Sequence, residues 1–425
     1  MTKRIQLIWR LAAGLAAAAI AAPAGEIESP QPRAPQQLTS VFRAEKLAEI
    51  DAAIEQAIAQ KKLPGGVFWI ERNGVAYHKA YGKRSLLPVE EPMTEDTIFD
   101  VASLTKVLAT APAIMLLLQR GKLELDASAS TYLPAFKGQG KDGITLRHLL
   151  THTSGLPPGL SRDPPWSGYR TAIEMACAEP VLTTPGTAFH YSDINYIVLC
   201  EIVQRVSGAH LEEFARQELY QPLKMIDTGF LPPAFKTDRI APTERVGDSF
   251  LRGGVHDPTA RFMGGVAGHA GLFTTAADMA RFARMMLNTG ELEGVRVFAP
   301  ATVRLMTTVQ TPPTVQASRG LGWDIDSPYS GPRGALFPVG SYGHTGWTGT
   351  SLWIVPSSRA FVIFLSNRNH PTGQGDVVPL RRRLGTLAAE AIVGFDFTNI
   401  TPSLPKAPPL PALPNGSGPG PKPAP

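Results

Sequence analysis

A serine and a lysine stand three residues apart in Phe99-Asp100-Val101-Ala102-Ser103-Leu104-Thr105-Lys106, where an apolar helix begins. On a helix that spacing puts both side chains on one face, so the amine of Lys106 reaches the hydroxyl of Ser103. A hydroxyl beside an amine is a nucleophile beside its base. The positive end of the helix dipole and partial burial both disfavour an ammonium, which predicts a Lys106 neutral often enough to accept a proton. The same pair also describes an N-cap serine with a solvated lysine one turn on, so the weight of the pattern rests on residues farther down the chain.

Three further stretches add to it. Phe189-His190-Tyr191-Ser192-Asp193-Ile194-Asn195 follows a Pro185-Gly186 turn and precedes a helix expected over 194–206, which sets Tyr191 on a loop where a phenol is held against a lysine. Gly343-His344-Thr345-Gly346-Trp347 opens an apolar strand, and its small residues let a substrate approach the backbone. Thr151-His152-Thr153-Ser154-Gly155-Leu156 ends a helix containing 146–150. His148 and His152 are four apart, but no glutamate follows His148, so the zinc-protease pattern is not met. No serine carries the Gly-x-Ser-x-Gly elbow of the other large esterase fold.

Helices and strands must position these residues. Apolar residues at helical spacing (Val41, Leu47, Ile50, Ile54, Ile58) predict a helix over 40–61, and Asn73-Gly74 between two apolar runs predicts a hairpin of 67–71 with 75–81. Pro112 inside the helix that starts at Ser103 removes one backbone hydrogen bond and predicts a kink two turns past Lys106. Helices and Gly/Pro loops fill 122 to about 288, and strands return from 321 to 367, with a second hairpin of 347–355 and 360–366. A closing helix over 378–392 packs beside the first. The outline is an α+β domain: an antiparallel sheet shared by the two ends of the chain, flanked by N- and C-terminal helices, with an all-helical lobe inserted at about 122–300.

With these motifs in place, the chain from about 40 to 395 resembles the serine β-lactamase and penicillin-binding protein family, especially the branch related to class C β-lactamases, DD-peptidases and esterases. Ser103-Leu104-Thr105-Lys106 matches its nucleophile motif, Tyr191-Ser192-Asp193 its Tyr-x-Asn motif, and His344-Thr345-Gly346 its Lys-Thr-Gly motif. The resemblance implies a β-lactamase/transpeptidase-like fold and acyl transfer. Ser103 attacks a carbonyl, Lys106 and Tyr191 together accept its proton, and the N–H groups of Ser103 and Trp347 hold the oxyanion. It implies no metal and no organic cofactor.

Two departures bear on substrate. Asp193 stands where the family has asparagine; an ionised carboxylate only accepts, so it suits a donor on the substrate, while Asn195 either supplies the missing amide or caps the helix. His344 replaces a lysine that recognises carboxylates, and neutral imidazole is the poorer partner. Both weaken an efficient β-lactamase reading. His344, Thr345 and Gly346 are expected to line the substrate site. So are His256 and His269, from the glycine-rich stretches 253–258 and 264–272, where backbone is brought close to something. Those stretches, with 344–351 and 367–371, resemble exported muropeptide amidases.

Composition is that of a globular enzyme: 425 residues, 43% hydrophobic and 18% charged. Lys3, Arg4 and Arg10 precede an Ala/Leu-rich run and Ala22-Pro23-Ala24, the pattern of a cleaved signal peptide over 1–24, which predicts export to the periplasm or beyond. Removing those three basic residues from the net +5 leaves +2, so nucleic acid is not indicated. No later segment reads as a membrane span. Residues 25–37 read as a linker, 38–400 as the hydrolase domain, and 401–425, with ten prolines, as a disordered tail. Cys177 and Cys200 suit either one disulfide or two buried thiols. The expected function is hydrolysis of amide bonds in muropeptides, with the cell wall as the partner. A carboxylesterase, a weak β-lactamase or DD-peptidase, and a non-hydrolysing cell-wall sensor are the alternatives.

Overall fold

The computed structural model describes residues 35–397 and Ile400. The expected signal peptide, most of the linker and the proline-rich tail lie outside them. Gly65–Arg72 and Val75–Ser85 form the expected hairpin, with Asn73 and Gly74 at positive φ (51° and 77°) as its turn requires. Gly65–Arg72 also pairs antiparallel with Ala360–Ser366, Gly66 opposite Ser366, so both ends of the chain meet at the middle of one sheet. Its eight strands run, edge to edge, Ser318–Arg319, Asp324–Asp326, Tyr342–Thr345, Ser351–Val355, Ala360–Ser366, Gly65–Arg72, Val75–Ser85 and Glu91–Pro92.

Alternation along the central strands splits the core in two. Phe68, Ile70, Val362 and Phe364 pack against helices Ala44–Ala59 and Val378–Ala391. Val67, Phe361, Ile363 and Leu365 face the larger core built around the Ser103 helix and the inserted lobe. The domain is thus α+β, as expected. The first helix differs: it is two, Pro35–Val41 and Ala44–Ala59, broken where Phe42 bridges to Ile392. The helix Pro35–Val41 thus overlaps the end of the stretch read as a linker.

The inserted lobe is not all-helical. Short strands occur within it, such as Leu272–Thr274 between Phe99–Asp100 and Gly229–Phe230, and Arg245–Val246 against Ser249–Phe250. Strands of two or three residues carry no periodicity to read. The run Ala102–Gln119 is long and apolar enough to cross a membrane, contrary to the sequence expectation, but it is 83% buried in the larger core. Both cysteines are free, and burial pushes the Cys200 thiol up to about 12.

Pro112 does not simply kink its helix. The chain is 3-10 over Ala102–Leu104, π-helical over Lys106–Thr110, and α-helical from Ala111. The carbonyl that Pro112 cannot serve, that of Leu108, takes the Tyr220 hydroxyl at 3.2 Å.

Candidate active site

The nucleophile segment is pinned from three sides. The buried Asp100 accepts the Ala102 N–H (2.8 Å) and the His256 N–H (2.6 Å), holding Ala102 at φ +46° just before Ser103. Burial raises the Asp100 pKa against these hydrogen bonds. From the sheet, Thr350 donates to the Val101 carbonyl and Thr348 to that of Asp100. Gly346 fits only because it lacks a side chain: a Cβ there would stand 2.3 Å from the Val101 oxygen and 2.2 Å from Thr350 Oγ1. From the lobe, Thr110 donates to the Gly268 carbonyl and Thr105 accepts the Leu272 N–H.

Lys106 is wholly buried, its Nζ 3.1 Å from Ser103 Oγ, 3.0 Å from the His269 carbonyl and 2.8 Å from Asp193 Oδ1. The amine also lies 4.9 Å from the Tyr191 ring centre. Burial works against the ammonium, but the Asp193 carboxylate and Tyr191 outweigh it and lift the Lys106 pKa above the ordinary lysine value. This corrects the expectation of a frequently neutral Lys106. Dipole and burial alone favour the neutral amine; the carboxylate that reverses them is brought near only by the fold.

Asp193, Asp257 and His269 gather within 4.8 Å of one another, the composition of a metal site, yet the cation that Asp193 pairs with is the protein's own Lys106 ammonium. Asp257 caps the helix Pro258–Phe262 and bonds His269 Nε2 at 2.9 Å. Burial would raise its carboxyl, but the His269 imidazole and the Ala260 N–H hold it well below the usual range.

Tyr191 lies in a ring of aromatic groups. His152 stacks on it at 4.3 Å, Tyr329 stands at 5.2 Å and His344 at 6.2 Å. His152 is the left-handed C-cap of Leu146–Thr151, while His148 closes a capping box with Thr145 at the other end, so the two do not form a ligand pair. The Ser192 N–H donates to His152 Nδ1 (3.1 Å), which places the ring proton on Nε2. His344 donates from Nδ1 to the Thr345 carbonyl at 2.8 Å. Burial, then the charges of Arg319 and Lys106, push both imidazoles well below their ordinary pKa, so both are neutral. Arg319 is itself fully buried, 3.3 Å from Asp324.

Ser103, Lys106, Tyr191, Asp193, His344, Thr345 and Gly346 therefore come together. Trp347 follows on a turn closed by Gly346 N–H to Thr350 O (2.7 Å), not in a strand as expected, and its indole is 61% exposed. Asn195, His256 and His269 are buried and engaged with protein partners. Asn195 is fully buried, accepting from Ser154 (2.6 Å) and facing His152. It ties the helix Asp193–Ser207 to the segment 152–154 and does not cap the helix. His256 Nε2 lies 3.3 Å from Glu244, and His269 is locked to Asp257. Among the glycines of that loop, Gly268 would place a Cβ 2.0 Å from the Tyr196 carbonyl, so it packs against the helix Asp193–Ser207, while the next carbonyl, of His269, accepts from Lys106. Gly268→Ala is expected to destabilise the protein by about 1–3 kcal/mol, read as a lower denaturant midpoint with unchanged slope; unchanged stability would refute the tight approach.

Sequence reasoning assigned no role to Asp100, Asp257, His152, Arg319 or Tyr329. Asp257 before Pro258 is a readable N-cap signal. The others depend on neighbours remote in sequence.

The family model described as Beta-lactamase matches residues 50–387. The chain belongs to the beta-lactamase family. It is 35% identical to the N-acetylmuramyl-L-alanine amidase of Bacillus subtilis over 373 residues, covering 78% of this chain and 83% of that protein. It is 33% identical, over 77% of this chain and 84% of the other, to an Escherichia coli K12 protein carrying a provisional D-alanyl-D-alanine carboxypeptidase name. Among solved structures, a penicillin-binding protein homologue from Caulobacter crescentus shares the fold with a TM-score of 0.66 at 22% identity, over 82% of this chain and 98% of that one. This beta-lactamase-family chain is a serine hydrolase.

Proposed function

We propose that this hydrolase is exported and cleaves amide bonds of peptidoglycan-derived muropeptides through an acyl-enzyme. The observation that carries the reading is the Ser103–Lys106 contact of 3.1 Å, with the Tyr191 ring 4.9 Å from the same amine, in a chain 35% identical to a muramyl-alanine amidase. Ser103 attacks the carbonyl, the N–H groups of Ser103 and Trp347 hold the oxyanion, and Lys106 and Tyr191 manage the protons. Thr345, Gly346 and His344 line the acyl side along the strand edge. The charged N-terminal run and Ala22-Pro23-Ala24 support export.

The test is intact-mass spectrometry of the protein with a muramyl dipeptide, a p-nitrophenyl ester and a penicillin, with products followed alongside. Splitting of the muramyl dipeptide is expected, and ester turnover with no attack on the dipeptide would replace this reading. The second reading, a carboxylesterase, draws on one observation. The buried His344 is neutral, so the strand edge offers no cation of its own to a substrate carboxylate.

A further inference from the structure

We infer that Arg381 is a positioning residue for the oxyanion site, its guanidinium fixing and polarising the one peptide unit whose N–H, that of Trp347, receives the oxyanion in the mechanism proposed above. The inference rests on the acyl-enzyme reading and not on the choice between amide and ester. The peptide that joins Gly346 to Trp347 is trans and planar, so its carbonyl and its N–H point in opposite directions. Whatever holds the one aims the other. The Gly346 oxygen accepts from Arg381 Nη2 at 2.7 Å and from the Gly349 N–H at 3.2 Å, two donors for its two lone pairs. Among the described residues nothing accepts the Trp347 N–H. The carbonyl end of the peptide is tied twice, and the N–H end is left open.

The same turn is tied to the nucleophile segment. Gly346 donates its own N–H to the Thr350 carbonyl at 2.7 Å, while Thr348 and Thr350 hold the carbonyls of Asp100 and Val101, three and two residues before Ser103. Arg381 adds the remaining tie. It belongs to the helix Val378–Ala391, on the sheet face opposite the Ser103 helix, and of the three arginines at 381–383 it alone is buried. It is 7% exposed, its Nε has no partner, and no carboxylate is bonded to it among the described residues. Burial and the positive end of its helix both disfavour a cation there. A residue kept against two local rules points to a functional contact, and its contact is the Gly346 carbonyl.

A charged donor bonds a carbonyl about twice as strongly as a neutral one. The bond draws charge out of the peptide nitrogen and makes its N–H the better donor. The turn contains its own comparison. Arg368 donates from Nε to the next carbonyl, that of Trp347, at 2.6 Å, and its guanidinium stands 4.7 Å from the Trp347 ring centre. That carbonyl belongs to the peptide whose N–H is that of Thr348. Two cations thus sit beside one turn, and only Arg381 bonds to the peptide that presents the Trp347 N–H.

The experiment is steady-state hydrolysis of p-nitrophenyl acetate by the wild type, Arg381→Met, Arg381→Gln and Arg368→Met, with the 15N shift of the Trp347 amide recorded in each. The oxyanion exists only in the tetrahedral states of acylation and deacylation, so a weaker site lowers kcat and kcat/KM together and leaves KM nearly unchanged. Losing an oxyanion donor outright costs about 10²- to 10³-fold. Arg381→Met keeps the donor but neither aims nor polarises it, and a loss of about 10- to 100-fold is expected. Arg381→Gln exchanges a charged donor for a neutral one, must lose rate in the same sense, and decides the matter where Arg381→Met does not fold. Arg368→Met is expected to lose less than Arg381→Met. In both Arg381 variants the Trp347 nitrogen moves upfield, as an amide nitrogen does when the hydrogen bond on its own peptide carbonyl is lost or weakened. A rise in KM alone, an equal loss in Arg368→Met, an unmoved Trp347 nitrogen, or a lower denaturant midpoint with wild-type kcat would overturn the proposal. If the wild type turns over neither the ester nor a muramyl dipeptide, the acyl-enzyme reading fails, and the nitrogen shift still decides whether Arg381 polarises the peptide.

Discussion

Ser103→Ala is expected to abolish hydrolysis of every substrate, with kcat falling by about 10⁵- to 10⁶-fold. In the proposed acyl-enzyme mechanism this hydroxyl is the nucleophile, with no substitute beside it. Thr105, the nearest hydroxyl along the chain, is fully buried and bonded to the Ala102 carbonyl and the Leu272 N–H. The fold should hardly notice the change. Ser103 Oγ contributes the 3.1 Å contact with Lys106, and Lys106 keeps Asp193 and the His269 carbonyl. The cost is that of one hydrogen bond, about 0.5–1.5 kcal/mol. Turnover with an unchanged melting temperature is therefore the clean comparison. Wild-type-like rates in Ser103→Ala would sink the acyl-enzyme mechanism, and so would a covalent adduct of unchanged mass shift in the variant.

Tyr191→Phe is expected to lower kcat by about 10²- to 10⁴-fold, the range for removing one group that moves a proton in the transition state. The substitution removes the phenolic oxygen alone. The ring keeps its stacking on His152 at 4.3 Å and its contact with Tyr329 at 5.2 Å, so the loop before the helix Asp193–Ser207 stays in place. The effect belongs in kcat for both esters and amides, with the amide hit harder because its nitrogen must be protonated to leave. A loss confined to KM would mean that Tyr191 binds substrate and moves no proton, and a loss of less than about tenfold would assign the proton transfer elsewhere.

These outcomes lean on parts of the molecule that were legible to different degrees. That Ser103, Lys106 and Tyr191 meet was readable because each sits at a recognisable place, the start of an apolar helix or the loop before one, and because the motifs follow one another in order. The hairpin at Asn73-Gly74 was readable because positive φ at two successive positions selects those residue types. Asn195 was misread because the sequence shows an amide two residues past Asp193 and not the Ser154 hydroxyl and His152 ring that enclose it. The partners of His256 and His269, Glu244 and Asp257, were not readable for a similar reason. Glycines announce a close approach without naming the partner, and here the partner of Gly268 is a helix backbone.

By itself, the sequence determined the order of sheet, lobe and sheet and the family, and it pointed to Ser103, Lys106 and Tyr191 as candidates, since all of these follow from residue type and local spacing. Tertiary structure alone decided the charge of the site. Asp193 and Asp257 are 64 residues apart and both are far from Lys106 in the chain, yet they close around one buried amine. A pKa answers to charges within a few ångströms whatever their place in the sequence. Local reading therefore predicted a lysine whose pKa is lowered, whereas the fold raises it by setting the Asp193 carboxylate 2.8 Å from the amine.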